Sequence, residues 1–326
     1  MPLTQDQRDS FDRDGFILVP DAIGTNSTLA ALEAIEQIAY GMPFKDYLNE
    51  YEQHGKGAVT DGFQGESRGG RTQFPTGIDV LDRMIEEDDY LDMFAQCLGS
   101  QDMSYNNAHL FIRFGPTDKR HAENSWEGYH IDHNTNSFLP PSADIYQFGY
   151  VNSAVYLHDV EPDGAPMHVI PGSHRKLPEL LPELIRTGNW SGNSAVGDLR
   201  KVEGFEKPIP TTAKAGSVLF YNSYLVHAAV PFINNRAHRC FWTLSMARND
   251  NQSWTKLANP WQYGERDYLV PFLEKTTPRV RALLGWPPPG HSYYTDQTLE
   301  LLATWFPGMD LTPYRQFANG ESHATD

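Results

Sequence analysis

Between residues 108 and 246 the chain passes through five short apolar segments, and these constrain its fold more than any other feature. They are 108–114 (AHLFIRF), 148–157 (FGYVNSAVYL), 167–170 (MHVI), 217–221 (SVLFY) and 239–246 (RCFWTLSM). Each is rich in β-branched or aromatic side chains and is bounded by Gly, Pro, Asn or Asp, so each reads as a strand closed by a turn. Short strands at this density predict a sandwich or jelly roll.

The flanks have a different pattern. Residues 4–14 read as a short helix anchored by Phe11, followed by a strand at 16–19 (FILV). Leu29, Leu32, Ile35 and Ile38 recur at helical spacing over 28–40, and residues 78–98 are again helical in pattern. Residues 49–77 are Gly-rich and polar and read as a long loop. Residues 177–214 read as an insertion with a small helix (LPELLPELIRTG), and helical stretches are expected near 268–273 and 298–305. The expectation is a mainly β fold with flanking helices. It forms one domain over 1–318, with the β core at about 105–250 and a disordered tail at 319–326.

Composition narrows the function. A net charge of −16 and a pI near 5.1 argue against nucleic acid and anionic membranes, which need a basic surface. No apolar signal core or spanning stretch is evident, so a cytoplasmic location is expected. Cys97 and Cys240 are the only cysteines, too few for a disulfide framework or a Cys-rich zinc site.

The stretch GYHIDHNTNS (128–137) carries His130 and Asp132 two residues apart. On a strand such residues point to one face. With a distant histidine they would form a 2-His-1-carboxylate face with open positions for non-haem Fe(II). Chance supplies roughly one H-x-D in a chain of this composition, and His121-Ala122-Glu123 is a decoy of the same kind. The pair needs company to carry weight.

Downstream come LHDVEPDGAPMHVIPGSH (157–174) and then GSVLFYNSYLVH (216–227). In this order, with the opening FDRDGFILVPDAI, the motifs resemble the phytanoyl-CoA dioxygenase family over roughly residues 10–246. The resemblance implies a double-stranded β-helix (a cupin-like jelly roll) that uses Fe(II), 2-oxoglutarate and O2 to hydroxylate a small or medium organic molecule, releasing succinate and CO2. It makes His130, Asp132 and His227 the iron ligands. His133, His158, His168 and His174 fit that role less well; His174, in PGSH, suits the shaping of a turn, and His133 could orient Asp132 or a substrate. The aspartate disfavours halogenation, since related halogenases carry Gly or Ala there. Desaturation, ring closure and epimerisation use the same ligands.

The resemblance also calls for an arginine to grip the distal carboxylate of 2-oxoglutarate. The family spacing falls on His238, so Arg239, which opens a strand, implies a one-residue insertion; Arg236 is the alternative. Were Arg239 to face a cavity, Phe241 and Thr243 would share its face, and Cys240 and Trp242 would point away. Arg113, Asn152 and Tyr156 are further candidates for cosubstrate contact. Pocket walls are expected from 49–77, 134–146 and 177–214, with Trp126, Tyr129, Phe138, Tyr146 and Tyr224 as linings. No Lys/Arg cluster accompanies the site to receive the phosphates of a CoA thioester. Two other readings are a metal-dependent hydrolase built on His130, Asp132 and His133, and a jelly-roll binding module without catalysis. The sequence is silent on oligomeric state.

Overall fold

The structure is a computed structural model. It describes residues 2–54, 71–115, 128–132, 149–191 and 194–249, and towards the C-terminus 266–284, 286–291, 294, 296, 299, 302–303 and 306–318.

Helix α1 (Gln5–Asp14) opens with a capping box: the Thr4 side chain accepts the Gln7 N–H, and the Gln7 side chain accepts the Thr4 N–H. It ends at Gly15, with φ 83°. A Cβ there would lie 2.5 Å from His174 Nδ1, so backbone and space both require glycine. FILV follows as β1 (Phe16–Val19), then α2 (Thr25–Tyr40), α3 (Phe44–His54) and β2 (Arg71–Gln73). Both α3 and β2 take residues from the stretch expected to be loop.

The helix expected over 78–98 is interrupted. It divides into α4 (Asp79–Asp82), a 3-10 turn (Arg83–Glu86) and α5 (Asp88–Leu98). The buried Asp82 carboxylate accepts Thr76 N–H, Thr76 Oγ1–H and Gly77 N–H at 2.8, 2.8 and 2.9 Å, which ties α4 back onto the preceding turn. Glu87 is extended and precedes α5, whose first turn holds Asp88 and Asp89 at its positive end.

The strands of the core are β3 (Met103–Phe114), β4 (Tyr150–Tyr156), β5 (Met167–Val169), β6 (Trp190–Ser191), β7 (Ser194–Ala195), β8 (Ile209–Thr211), β9 (Val218–Asn222), β10 (His227–Ala229) and β11 (His238–Arg248). Helix α6 (Ser173–Arg186) follows β5, and further helices occupy Arg266–Lys275, Pro278–Leu283 and Thr312–Ala318. A six-stranded sheet in the order β1-β9-β4-β11-β3-β2 faces a three-stranded sheet in the order β10-β5-β8, and β6 pairs with β7. All the strand pairs are antiparallel. This is the expected jelly roll with flanking helices. Strand β8 lies inside the stretch read as an insertion, yet it pairs with β5 and belongs to the core.

The large sheet is covered on both faces, which explains why β4 is buried along its whole length. Its outer face, with Val151, Val155, Phe220, Trp242 and Leu244, packs on the helices in a cluster that runs from Leu3 to Leu283. Its inner face, with Ala154, Tyr156, Leu219, Tyr221 and Phe241, meets Met167 and Val169 of the small sheet. Alternation along β11 therefore sends Cys240 and Trp242 to the helices and Phe241 inward.

The PGSH motif joins these layers. Gly172 N–H donates to Asp14 O at 2.9 Å, Ser173 Oγ accepts Val226 N–H at 2.9 Å, and His174 Nε2 lies 3.1 Å from Asp12 O. Its turn thus fixes both the end of α1 and the residue that precedes His227. Among the described residues no helix is long and apolar enough to cross a membrane. Most of 298–305 and all of 319–326 lie outside the described residues.

Phe220 is fully buried and meets Phe94 edge-on at 5.1 Å and Tyr90 at 5.9 Å. Phe220→Ala is expected to cost about 3–5 kcal/mol in chemical denaturation, with metal affinity unchanged because the ring lies on the outer face.

Candidate metal centre

The site begins with a backbone pairing. His130 N–H donates to His227 O at 2.9 Å, and His227 N–H donates to His130 O at 3.0 Å. Residues that exchange both hydrogen bonds stand directly opposite, with side chains on one face. Asp132 follows two residues on, its N–H bonded to Ser223 O at 3.0 Å. Ile131, between them, turns the other way into an apolar cluster with Tyr129, Leu177 and Trp190.

The donor atoms converge. His130 Nε2 lies 3.5 Å from Asp132 Oδ1, and His227 Nε2 lies 3.5 Å from Asp132 Oδ2. The two imidazole centroids are 4.4 Å apart. Both Nδ1 atoms face carbonyl oxygens, Gly128 O at 2.8 Å and Leu225 O at 2.9 Å. A carbonyl only accepts, so each Nδ1 carries the proton and each Nε2 presents its lone pair. This is the tautomer that metal-binding histidines adopt. Ligands about 2.1 Å from one ion are about 3.0–3.5 Å apart at angles of 90–110°, so the three residues fit a divalent metal.

The shifts of Asp132 and His227 favour the same use. Burial alone would raise the Asp132 carboxyl, but the His227 and His130 imidazoles and the Tyr221 hydroxyl outweigh it and hold the group well below the usual carboxylate range. Burial pushes His227 down to about 4, against the pull of Asp132. Burial also acts to lower His130, but its contact with Asp132 prevails and raises it. An ionised carboxylate and a neutral imidazole are the forms that a metal takes.

Asp132 is itself held in place. Asn152 Nδ2 donates to Oδ2 at 2.9 Å, and Tyr221 OH donates to the same oxygen at 3.4 Å. Tyr150 OH donates to the Asp132 carbonyl at 2.8 Å. Ser245 Oγ bonds Asn152 Oδ1 and lies 3.0 Å from Asn107 Oδ1. Asn152, expected to touch a cosubstrate, is therefore in contact with the candidate ligand. Sequence reasoning missed Tyr150, Tyr221, Ser245 and Asn107. Their signal was strand parity: Asn152 pairs with Tyr221 on β9 and with Ser245 on β11, so all three share a face.

Two arginines stand at the far end of the same face. Arg239 and Arg113 are direct partners across β11 and β3, and both are buried. Arg239 Nη1 donates to Ala165 O at 2.6 Å, and its guanidinium lies 4.5 Å from the Phe241 ring centroid. Arg113 Nη1 donates to Val230 O at 2.8 Å, three residues past His227. Tyr156 OH donates to Thr211 O at 2.6 Å, and its ring lies 4.6 Å from Phe241. Burial raises its hydroxyl to about 12, with Thr211 and the nearby Arg239 opposing. Arg236 is half-exposed and bonds Glu52. Tyr224 is fully buried and Tyr129 nearly so. His121, Glu123, Trp126, His133, Phe138, Tyr146 and the stretch 134–146 lie outside the described residues.

Comparison with known proteins gives three findings. The family model described as phytanoyl-CoA dioxygenase (PhyH) matches residues 11–240. No curated protein matches the chain. Among solved structures, HygX from Streptomyces hygroscopicus, with nickel and 2-oxoglutarate bound, is 18% identical with a TM-score of 0.52, covering 79% of this chain and 91% of its own. The epimerase SnoN, in complex with Fe3+, alpha ketoglutarate and nogalamycin RO, is 16% identical with a TM-score of 0.49, covering 75% of this chain and 83% of its own. The carbocyclase SnoK from nogalamycin biosynthesis is 13% identical with a TM-score of 0.47, covering 76% of this chain and 84% of its own. The likeness to HygX is one of fold.

The hydrogen bond from Asn152 to Asp132 makes a prediction. Asn152→Ala is expected to weaken Fe(II) binding about 10- to 100-fold, measured by anaerobic titration, with an unchanged circular dichroism spectrum.

Proposed function

The chain belongs to the phytanoyl-CoA dioxygenase family, and from that membership we propose that His130, Asp132 and His227 hold Fe(II) in a 2-oxoglutarate-dependent dioxygenase acting on a small or medium organic molecule. The observation that carries this reading is the convergence of the three donors, both imidazole lone pairs lying 3.5 Å from one carboxylate. When bound, the metal, O2 and 2-oxoglutarate supply an oxidative decarboxylation that yields succinate and CO2 and inserts oxygen into a substrate C–H bond.

The remaining residues bind and orient. A facial set of three protein ligands leaves positions for the 2-oxo acid and O2. Arg239 is suited to a bidentate grip on the distal carboxylate. Arg113, its register partner, adds a second positive charge on the same face. Phe241 and Tyr156 give the methylene part of the cosubstrate an apolar wall and exclude water. Asn152 and Tyr221 fix one oxygen of Asp132, so the carboxylate keeps its orientation while the metal is bound.

Hydroxylation is the reaction proposed. Asp132 occupies the ligand position that a halogenase vacates for chloride, and its two side-chain donors hold it there. Residues 1–318 act as one domain, a reading supported by the largest apolar cluster, which runs from Leu3 to Leu283, and by Leu284, which packs against both it and the cluster of Leu273, Leu311 and Tyr314.

The test needs no substrate. Fe(II) and 2-oxoglutarate added anaerobically to metal-free protein are expected to give the weak visible charge-transfer band of a chelated 2-oxo acid. His227→Ala and Asp132→Ala are expected to lose it, and Asp132→Ala to lose succinate formation. A folded wild-type protein that shows no band would overturn the assignment. Arg239→Ala is expected to weaken 2-oxoglutarate binding about 100-fold or more, the cost of truncating one partner of a buried charge pair. Arg236→Ala is expected to leave it unchanged.

A further inference from the structure

A second cluster of metal-ligating side chains lies on the other face of β11. His238 and Cys240 flank Arg239 and project towards the helices, and His158, two residues past the end of β4, meets them there. One donor atom from each of His158, His238 and Cys240 lies within 4.8 Å of the others. We infer that His158, His238 and Cys240 form a second metal site, distinct from the His130–Asp132–His227 centre, that takes zinc or a cation of similar softness.

The tautomers are suited to it. His158 Nδ1 faces Asp159 O at 2.8 Å and so carries the ring proton, directing the Nε2 lone pair at Cys240. That lone pair accepts the Cys240 N–H at 3.0 Å. An ion replaces this one neutral hydrogen bond with a stronger coordinate bond. His238 Nε2 is buried and has no hydrogen-bond partner among the described residues. A buried ring nitrogen without a partner is costly, and a ligand bond satisfies it. The imidazole centroids are 4.4 Å apart, the same separation as in the first site. Donors around a tetrahedral zinc are roughly 3.3–3.6 Å apart, so small side-chain rotations close the set.

The charges bear on the choice of ion. Glu36 on α2 has Oε1 3.7 Å from His238 Nε2 and offers a fourth ligand. Its carboxylate and the thiolate offset the Arg239 guanidinium, which leaves the strand on the opposite face. Two nitrogens, a thiolate and a carboxylate suit zinc, where the sulfur-free set of the first site suits iron.

Such an ion would clamp the residues on either side of Arg239 to the end of β4. The proposal does not depend on the assignment of the first site, and its test removes that site. The full-length His130→Ala/His227→Ala variant, expressed in cobalt-supplemented medium, is expected to retain one Co(II) with an intense thiolate-to-cobalt charge-transfer band. Zinc should displace the cobalt and abolish the band. Cys240→Ala in that background should lose the band, and His158→Ala should weaken Co(II) binding by more than about 100-fold; thermal melting confirms that each variant is folded. Absence of cobalt from the folded double variant, or a charge-transfer band that survives Cys240→Ala, would overturn the site. Should Cys240→Ala fail to fold, the loss or persistence of cobalt in His158→Ala decides the question.

Discussion

Two reciprocal backbone hydrogen bonds between His130 and His227 hold the candidate metal centre together. They join residues 128–132 to the start of β10, and they set two imidazoles side by side. Everything else at the site supports this pairing. Ser173 holds Val226, Ser223 O receives the Asp132 N–H, and Leu225 O selects the His227 tautomer. Donors tied to the backbone in this way have fewer conformations to lose when they take a metal.

Strand β11 carries a second constraint, because its two faces do different work. Inward, Arg239, Phe241, Thr243 and Ser245 run from the proposed carboxylate grip to the polar residues behind Asp132. Outward, Cys240, Trp242 and Leu244 bury the sheet against the helices. A one-residue slip would exchange the two sets, placing Trp242 in the cavity and Arg239 in the apolar core. Pairing with β3 and β4 on either side, together with a bulge at Ser245/Met246, prevents that slip. Stability and chemistry are therefore set by the same register.

The parts that were legible in the sequence are those where local pattern and tertiary role agree. The short apolar runs became strands because alternation and turn residues are local signals. His130, Asp132 and His227 were picked out through motif order, and parity along RCFWTLSM put Phe241 and Thr243 on the face of Arg239 and Cys240 and Trp242 on the other. Where burial or a remote partner decides the structure, the sequence was less informative. The helical pattern at 78–98 breaks because Asp82 bonds back to Thr76 and Gly77. The strand Ile209–Thr211 has an exposed, Pro-containing sequence and becomes a strand only because β5 lies beside it. Asn152 was picked out, but its neighbour is Asp132, a contact twenty residues away in sequence. His238 and Cys240 have the local spacing of a ligand pair, but they were not read as one because His158 joins them only across the end of β4.

Overall charge and local charge oppose each other in this protein. The chain carries −16, yet the site proposed to hold the dianion 2-oxoglutarate lies within it. At physiological ionic strength the Debye length is about 8 Å, so most of the surface charge is screened from a ligand inside the fold. Arg239 and Arg113, paired across the sheet and buried, act where screening is weakest. Like charges directly opposite on a sheet repel. Here each guanidinium is partly met by a backbone carbonyl and an aromatic face, Ala165 O and Phe241 for Arg239, Val230 O and Phe232 for Arg113. These contacts hold the two cations inside the fold. A carboxylate bound at the proposed site would oppose the mutual repulsion of the two cations, while the acidic surface serves solubility.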